Sequence, residues 1–198
     1  MNSATQNEAI HVVGLVGSLR RGSYNRLLME LAQRVAPEGM TIELFDLDDL
    51  PLYNGDIDND NDRPQAAIAL HRAVEQADAL LFATPEYNHS VPAVLKNAID
   101  WLSRPQRGGG TPPIWAKPTA IMGAATGMWG TIRAQKHLRS ILAATNTPVV
   151  MKPDVLVRNV KSLVVEGRID DESTEGFVHE LLENLAELTW RHQREYNA

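Results

Sequence analysis

The chain has 198 residues, with 19 Lys+Arg against 25 Asp+Glu and a formal charge of −6 at pH 7. Its 43% hydrophobic and 22% charged residues are ordinary for a globular protein, and the length suits one domain, residues 1–198, with a core that needs no staples. The absence of cysteine excludes a disulfide framework, a thiolate zinc site, an iron–sulfur cluster and a cysteine nucleophile, and the acidic balance argues against nucleic acid or an anionic membrane as partner.

Residues 1–9 are polar, with neither a basic n-region nor a small-residue cleavage site, and do not read as a signal peptide. No apolar run approaches the roughly 18 residues that a transmembrane helix needs. A cytoplasmic protein is expected, and the lack of cysteine fits a reducing compartment.

Ile10-His11-Val12-Val13-Gly14-Leu15-Val16 is a short apolar run that ends at Gly17-Ser18, a strand feeding a turn. Ser23-Tyr24-Asn25 offers N-cap chemistry, after which Leu27, Leu28, Leu31, Ala32 and Val35 repeat at helical spacing until Pro37-Glu38-Gly39. Residues 41–45 alternate as a second strand, residues 54–64 are a polar loop, and Ala66, Ile68, Ala69, Ala73 and Val74 predict a second helix. Residues 79–84 are apolar until Pro85, the pattern of a strand covered on both faces. Val91, Val94, Leu95, Ala98, Ile99 and Leu102 predict an amphipathic helix with Ser90 as cap and Pro92 in its first turn. A glycine-rich surface loop spans 104–113, a fourth strand 118–122, a helix 131–142 and a fifth strand 147–151. Residues 152–174 carry no clear periodicity, and Phe177, Val178, Leu181, Leu182, Leu185 and Leu188 define a closing helix. This alternation predicts a three-layer α/β domain with a five-stranded parallel sheet.

In such a sheet ligands bind at the carboxyl ends of the strands, so the loops after the first, third and fourth strands are the candidates. Gly17-Ser18-Leu19-Arg20-Arg21-Gly22-Ser23-Tyr24-Asn25 sets hydroxyls, an amide and guanidiniums at a helix start, where free N–H groups and the dipole attract an anion. It is not a Walker A loop, because Ser23 stands at the lysine position, nor a G-x-G-x-x-G fingerprint, because the glycines fall at 14, 17 and 22. The plainer alternative is a well-capped turn with exposed arginines. Thr84-Pro85-Glu86-Tyr87-Asn88-His89-Ser90-Val91-Pro92 is bracketed by prolines, and offers either a rigid rim for a flat heterocycle or a stiff turn whose tyrosine covers neighbouring core. Gly123-Ala124-Ala125-Thr126-Gly127-Met128-Trp129-Gly130 allows close backbone approach, with Met128 and Trp129 as walls for an aromatic ligand. Together the loops describe a pocket for a planar, monophosphorylated ligand, which suits flavin mononucleotide better than a dinucleotide.

The first of these motifs resembles the flavin-phosphate loop of the NADPH-dependent FMN reductase family, which includes quinone and chromate reductases. The second, continuing through Leu95-Lys96-Asn97-Ala98-Ile99-Asp100-Trp101-Leu102-Ser103, resembles that family's other signature. Arg133-Ala134-Gln135, His137-Leu138-Arg139 and Lys152-Pro153-Asp154 extend the similarity, which spans residues 10–154. The resemblance implies a flavodoxin-like fold with non-covalent FMN. It would put Ser18, Arg20, Ser23 and Asn25 on the phosphate, with Leu19 and Tyr24 in the same loop. Pro85, Glu86, Tyr87 and Asn88 would line the isoalloxazine and ribityl chain, largely through backbone groups. Ala125 falls where relatives often carry a small polar residue beside the flavin, so a side-chain hydrogen bond is lost here, and Lys136 replaces an aromatic residue that some relatives use at a subunit contact.

The function so implied is an FMN-dependent NAD(P)H oxidoreductase. NADPH or NADH would give hydride to the flavin, and a quinone, azo compound, chromate or free flavin would then take the electrons. No side chain is assigned as general acid or base, and a homodimer or homotetramer is implied. Two rivals are a flavodoxin-type electron carrier without its own NAD(P)H oxidation, and a regulatory protein that keeps the fold but not the flavin. Asp56, Asp58, Asp60 and Asp62 alternate like calcium ligands, but Asn61 and Ala67 stand where glycine and the closing glutamate belong, so a solvated acidic loop is expected. The six histidines show no metal-ligand spacing; His89 would rim the pocket, and Trp101 and Leu102 belong to core or a subunit interface.

Overall fold

A computed structural model describes residues 9–105 and 109–196. The polar residues 1–8 and part of the glycine-rich loop, 106–108, lie outside the described residues. In chain order the regular elements are β1 (Ile10–Val16), α1 (Tyr24–Arg34), β2 (Met40–Phe45), α2 (Gln65–Gln76), β3 (Ala79–Ala83), α3 (Ala93–Leu102), β4 (Thr119–Ala124), α4 (Ile132–Ala143), β5 (Val155–Val157), β6 (Val164–Val165), β7 (Arg168–Ile169) and α5 (Glu172–Tyr196). The main sheet runs β2-β1-β3-β4-β5 with every pair parallel, the flavodoxin-like order whose switch point lies between β1 and β3.

The run 79–84, read as a strand covered on both faces, is one, and β1 is covered on both faces as well. Along β1, Ile10, Val12 and Val16 face a cluster shared with α1 and α5, while Val13 and Leu15 face one built with α2, α3 and α4. β3 divides in the same way, with Leu81 on the first face and Leu80 and Phe82 on the second. Burying both faces removes the alternation a half-exposed strand would show.

The fifth strand is not where periodicity predicts it. Residues 147–151 make only one bridge, Val149 to Thr119, while β5 at Val155–Val157 completes the sheet against Met122, Gly123 and Ala124. Pro148 lacks an N–H to extend a ladder, and its carbonyl accepts from Thr119 before the chain leaves the edge and returns. The weakly patterned segment therefore holds the sheet's last strand and the β6–β7 hairpin. Nor is α3 capped by Ser90. That residue pairs its backbone with Tyr87, and Pro92 occupies the N-cap position without a side-chain bond. The closing helix is longer than its apolar stripe, because Asp171 accepts from the Thr174 N–H and hydroxyl at 2.8 and 2.6 Å and starts it at Glu172, whereas Phe177 is half exposed.

The acidic loop before α2 is built around one buried ion pair. Arg63 donates from Nε to Asp58 at 2.6 Å, both side chains only 7% exposed, and from Nη2 to the Pro105 carbonyl at 2.9 Å. Arg63 Nη1 also lies 3.5 Å from His71 Nδ1, and His71 Nε2 contacts the Trp101 carbonyl at 2.8 Å. This geometry requires neutral His71, with the proton on Nε2 and the Nδ1 lone pair toward the guanidinium. Burial, assisted by the charge of Arg63 against the pull of Trp101, Asp58 and Glu75, holds its pKa below the ordinary 6.5. A histidine depressed in this way takes up its proton more readily when unfolded. Stability should therefore be full above pH 6.5 and decline as pH falls through it. His71→Asn should flatten that slope in urea unfolding measured from pH 5 to 8, and Arg63→Ala, which strands Asp58, should cost about 3–5 kcal/mol at pH 7.5.

Candidate active site

The loops after β1, β3 and β4 meet at the carboxyl edge of the sheet, and specific contacts join them. Gly17 donates to the Ala83 carbonyl at 2.9 Å. A Cβ on Gly17 would lie 2.7–2.8 Å from Leu95, Pro92 and Pro85, so only glycine lets the first loop pass against the second. Asn25, buried at the start of α1, reaches across the sheet: its Nδ2 donates to the Ala124 carbonyl at 3.0 Å, and its Oδ1 accepts from the Ala124 N–H at 2.9 Å. The Tyr87 hydroxyl donates to Ser18 Oγ at 3.4 Å.

The first loop is an anion cradle. Ser23 caps α1, accepting from the Arg26 N–H at 3.4 Å, and no acidic residue stands in the helix's first turn. The opening N–H groups of a helix lack intrahelical partners and carry the positive end of its dipole. Arg20 folds back over them, with its guanidinium 5.4 Å from the Tyr24 ring centre and Nη1 3.0 Å from where a Cβ on Gly22 would be. Leu19 stands about half exposed on the rim. Of the residues expected on a phosphate, Ser18, Arg20 and Ser23 sit in this cradle. Asn25 lies behind it, with one N–H and one oxygen lone pair of its amide bonded to Ala124, which fixes the cradle to β4.

The second loop turns back on itself. Tyr87 and Ser90 exchange backbone hydrogen bonds, and Asn88 and His89 between them adopt φ 50° and 64°, as in a type I′ turn. Pro85 is buried against Gly17, while Tyr87, Asn88 and His89 are exposed at the rim. Glu86 points the other way. Its Oε2 accepts from the N–H groups of Arg133 and Ala134 at 2.9 and 3.2 Å, and its Oε1 from Arg133 Nη1 at 2.9 Å. Burial alone would raise its pKa, but the N–H of Ala134 and the side chain and N–H of Arg133 together hold it below the usual carboxylate range. Glu86 is thus the anionic cap of α4, a role its sequence neighbourhood does not disclose.

The third loop is held from β5. Ala125 donates to the Val157 carbonyl and accepts from the Val160 N–H, so its backbone polar groups are paired and its side chain adds none. A Cβ on Gly123 would fall 2.5 Å from the Thr84 carbonyl and 2.1 Å from Thr131 Oγ1. Beyond them Met128 and Trp129 are 64% and 62% exposed, and Arg133 lies over the Trp129 ring at 4.5 Å from its centre. Ser90 Oγ meets His137 Nδ1 at 3.0 Å, a tie between the second loop and α4 that adds to that of Glu86. Sequence reasoning missed Glu86 as a cap, Thr131 and the bracing from residues 157–160; only the last has a chain-local clue, the apolar Val155-Leu156-Val157 triplet.

An anion cradle with hydroxyl and guanidinium donors, glycines that leave backbone bare, and exposed aromatic walls fit a planar ring joined to one phosphate, and hence FMN. Fold and site together define a flavodoxin-like protein. The family model described as NADPH-dependent FMN reductase matches residues 10–162. The chain is 42% identical over 180 residues to an NAD(P)H-dependent FMN reductase of Pseudomonas aeruginosa, covering 90% of this chain and 95% of that one. It is 37% identical to a 2-hydroxy-1,4-benzoquinone reductase of a Burkholderia species, with the same coverages, and 36% identical to a quinone reductase of Escherichia coli, covering 90% and 91%. Among solved structures it resembles the flavoenzyme NAD(P)H:(acceptor) oxidoreductase FerB of Paracoccus denitrificans, with a TM-score of 0.82, 32% identity, and coverage of 93% and 99%. The chain belongs to the NADPH-dependent FMN reductase family: it is an oxidoreductase with FMN as cofactor and NAD(P)H as electron donor.

Asn25→Ala should leave the buried N–H and carbonyl of Ala124 without partners, at about 1–3 kcal/mol for each orphaned group. Urea unfolding should register that loss, and fluorescence titration should show weaker FMN binding although the residue's amide faces away from the cradle.

Proposed function

We propose that this chain, acting as one FMN-binding domain, carries electrons from NAD(P)H to quinones and related acceptors, azo compounds, chromate and free flavin among them. The observation that carries the reading is the junction of cradle and ring wall. Tyr87 donates to Ser18, and Gly17 lies against Pro85, so the loop that would take the phosphate and the loop that would take the ring are packed together. Ser18, Arg20 and Ser23 would hold the phosphate, with Leu19 and Tyr24 closing the loop around it. Pro85, Glu86, Tyr87 and Asn88 would line the ring and ribityl chain, and Ala125 would offer its methyl group.

When bound, FMN supplies the two-electron relay between nicotinamide and acceptor. The protein's own part is positional. The turn at Asn88 and His89 exposes backbone groups beside Tyr87, while Pro85 and Gly17 keep the floor rigid. Glu86, held ionised by α4 and Arg133, does not compete for protons at neutral pH. The names of the P. aeruginosa, Burkholderia and E. coli relatives support a quinone-type acceptor. A homodimer or homotetramer is part of this reading, supported by Leu52, 77% exposed on the loop that packs on α3 through Pro51 and Trp101. A cytoplasmic location without membrane or nucleic-acid partners accords with the charge of −6 and with the lack, among the described residues, of a helix long and apolar enough to cross a membrane.

Anaerobic titration of FMN-loaded protein with NADPH and then NADH should bleach the flavin absorbance at a catalytically useful rate. Intact flavin that neither donor reduces would turn the assignment toward an electron carrier. Arg20→Ala should weaken FMN binding by about 1.5–3 kcal/mol, the loss of one charge-assisted hydrogen bond, and an unchanged dissociation constant would put the phosphate elsewhere.

A further inference from the structure

The loop after β4 ends in an exposed tryptophan that is held from several sides. Trp129 is 62% exposed, yet its ring is not loose: Arg133 stacks on one face at 4.5 Å, and Arg133 is itself tied to Glu86 at 2.9 Å. One face of the indole is thus covered and the other open. Behind it Gly130 and Thr131 follow each other at φ 53° and 69°, a conformation that a β-branched residue adopts only under strain and that turns the tryptophan outward. The adjoining segment after β5 is locked to this loop. Asn159 donates from its N–H to the Gly127 carbonyl and from Nδ2 to Met128 Sδ, each at 3.3 Å. The stem of Arg158 runs beside Gly130, 3.1 Å from where a Cβ on that glycine would be. Arg158 and Lys161 are exposed, and among the described residues their side chains make no ion pair or hydrogen bond. In a chain with a formal charge of −6, an unpaired guanidinium on the segment braced to this half-open indole, with Lys161 three residues further along, is a recognition device rather than background.

We infer that Trp129 and Arg158 form the subsite for the adenosine 2′-phosphate end of NADPH, with the purine on the open face of Trp129 and the 2′-phosphate on Arg158 and Lys161. The inference rests on the reductase reading and adds to it a basis for choosing between donors. A planar heterocycle stacks on an exposed indole, and a guanidinium without a carboxylate partner pairs bidentately with a phosphate dianion. The FMN phosphate is provided for by Arg20 at the other end of the site, and a quinone carries neither purine nor phosphate. NADH carries the purine but no 2′-phosphate. Trp129 therefore serves both donors, while Arg158 separates them.

The test uses FMN-loaded protein and two probes that donate no electrons, adenosine 2′,5′-bisphosphate and 5′-AMP, with binding followed by calorimetry and tryptophan fluorescence. The bisphosphate should bind roughly 10- to 100-fold tighter than AMP, the equivalent of one charge-assisted phosphate contact. Arg158→Ala should collapse that ratio toward one with the FMN dissociation constant unmoved, Arg158→Lys should keep part of it, and Trp129→Ala should weaken both probes alike. In steady-state kinetics Arg158→Ala should raise KM for NADPH relative to NADH by a similar factor. Equal binding of the two probes, or a ratio that survives Arg158→Ala, overturns the subsite. So does a Trp129→Ala variant that changes the sedimentation coefficient while both nucleotides still bind, since the ring would then be a subunit contact. Tight, Arg158-dependent bisphosphate binding by a protein whose flavin NADPH cannot reduce would instead uphold the subsite and refute the reductase reading.

Discussion

The carboxamide of Asn25 closes both hydrogen bonds of the Ala124 backbone, and the geometry of the site follows from that clasp. Parallel strands hold each other in register along their length, but nothing in a sheet fixes how the loops beyond its edge sit relative to one another. β1 and β4 are not neighbours, since β3 runs between them. A side chain on the first turn of α1 that satisfies the last residue of β4 therefore spans two strand spacings and triangulates the edge. The helix start with its free N–H groups is thereby tied to the loop after β4. Because the amide is buried with donor and acceptor both used, it cannot trade this bond for water without cost.

The same economy governs charge. The loop after β3 spends its one carboxylate inward, where Glu86 caps α4 and pins Arg133. A free carboxylate beside a phosphate or an electron-rich ring would repel it. Held between two N–H groups and a guanidinium, the charge stabilises α4, braces the Arg133–Trp129 stack and presents little field to the pocket. The Glu86 side chain thereby joins the loop after β3 to the rim beyond β4 while its backbone stays at the pocket edge.

How much of this was legible in the sequence follows from how local each interaction is. β1 and β3 were readable because cover on both faces makes an unbroken apolar run, and the cradle because Ser23, the glycines and the arginines belong to one turn. The family resemblance extended that reading to the loop after β3. The clasp was not readable, because Asn25 and Ala124 lie 99 residues apart and asparagine near a helix start has a ready local explanation as a cap. Glu86 and Arg133, 47 residues apart, escaped for the same reason. β5 escaped because its three residues are a strand only by pairing with β4, while the longer apolar stretch ahead of it is interrupted at Pro148. Arg158 and Asn159 lie in a segment whose pattern carries no period at all.

Charge near the site is sorted by loop. The loop after β2 carries Asp56, Asp60 and Asp62 to solvent, with Asp58 turned inward to Arg63, whereas the segments after β4 and β5 carry Arg133, Arg158 and Lys161. Strand order alone does not decide where the acidic loop lies: Arg63 donates to the Pro105 carbonyl, and Asn97 and Trp101 donate to that of Pro51, so the loop is drawn along α3 and its buried arginine is spent there rather than at the carboxyl edge.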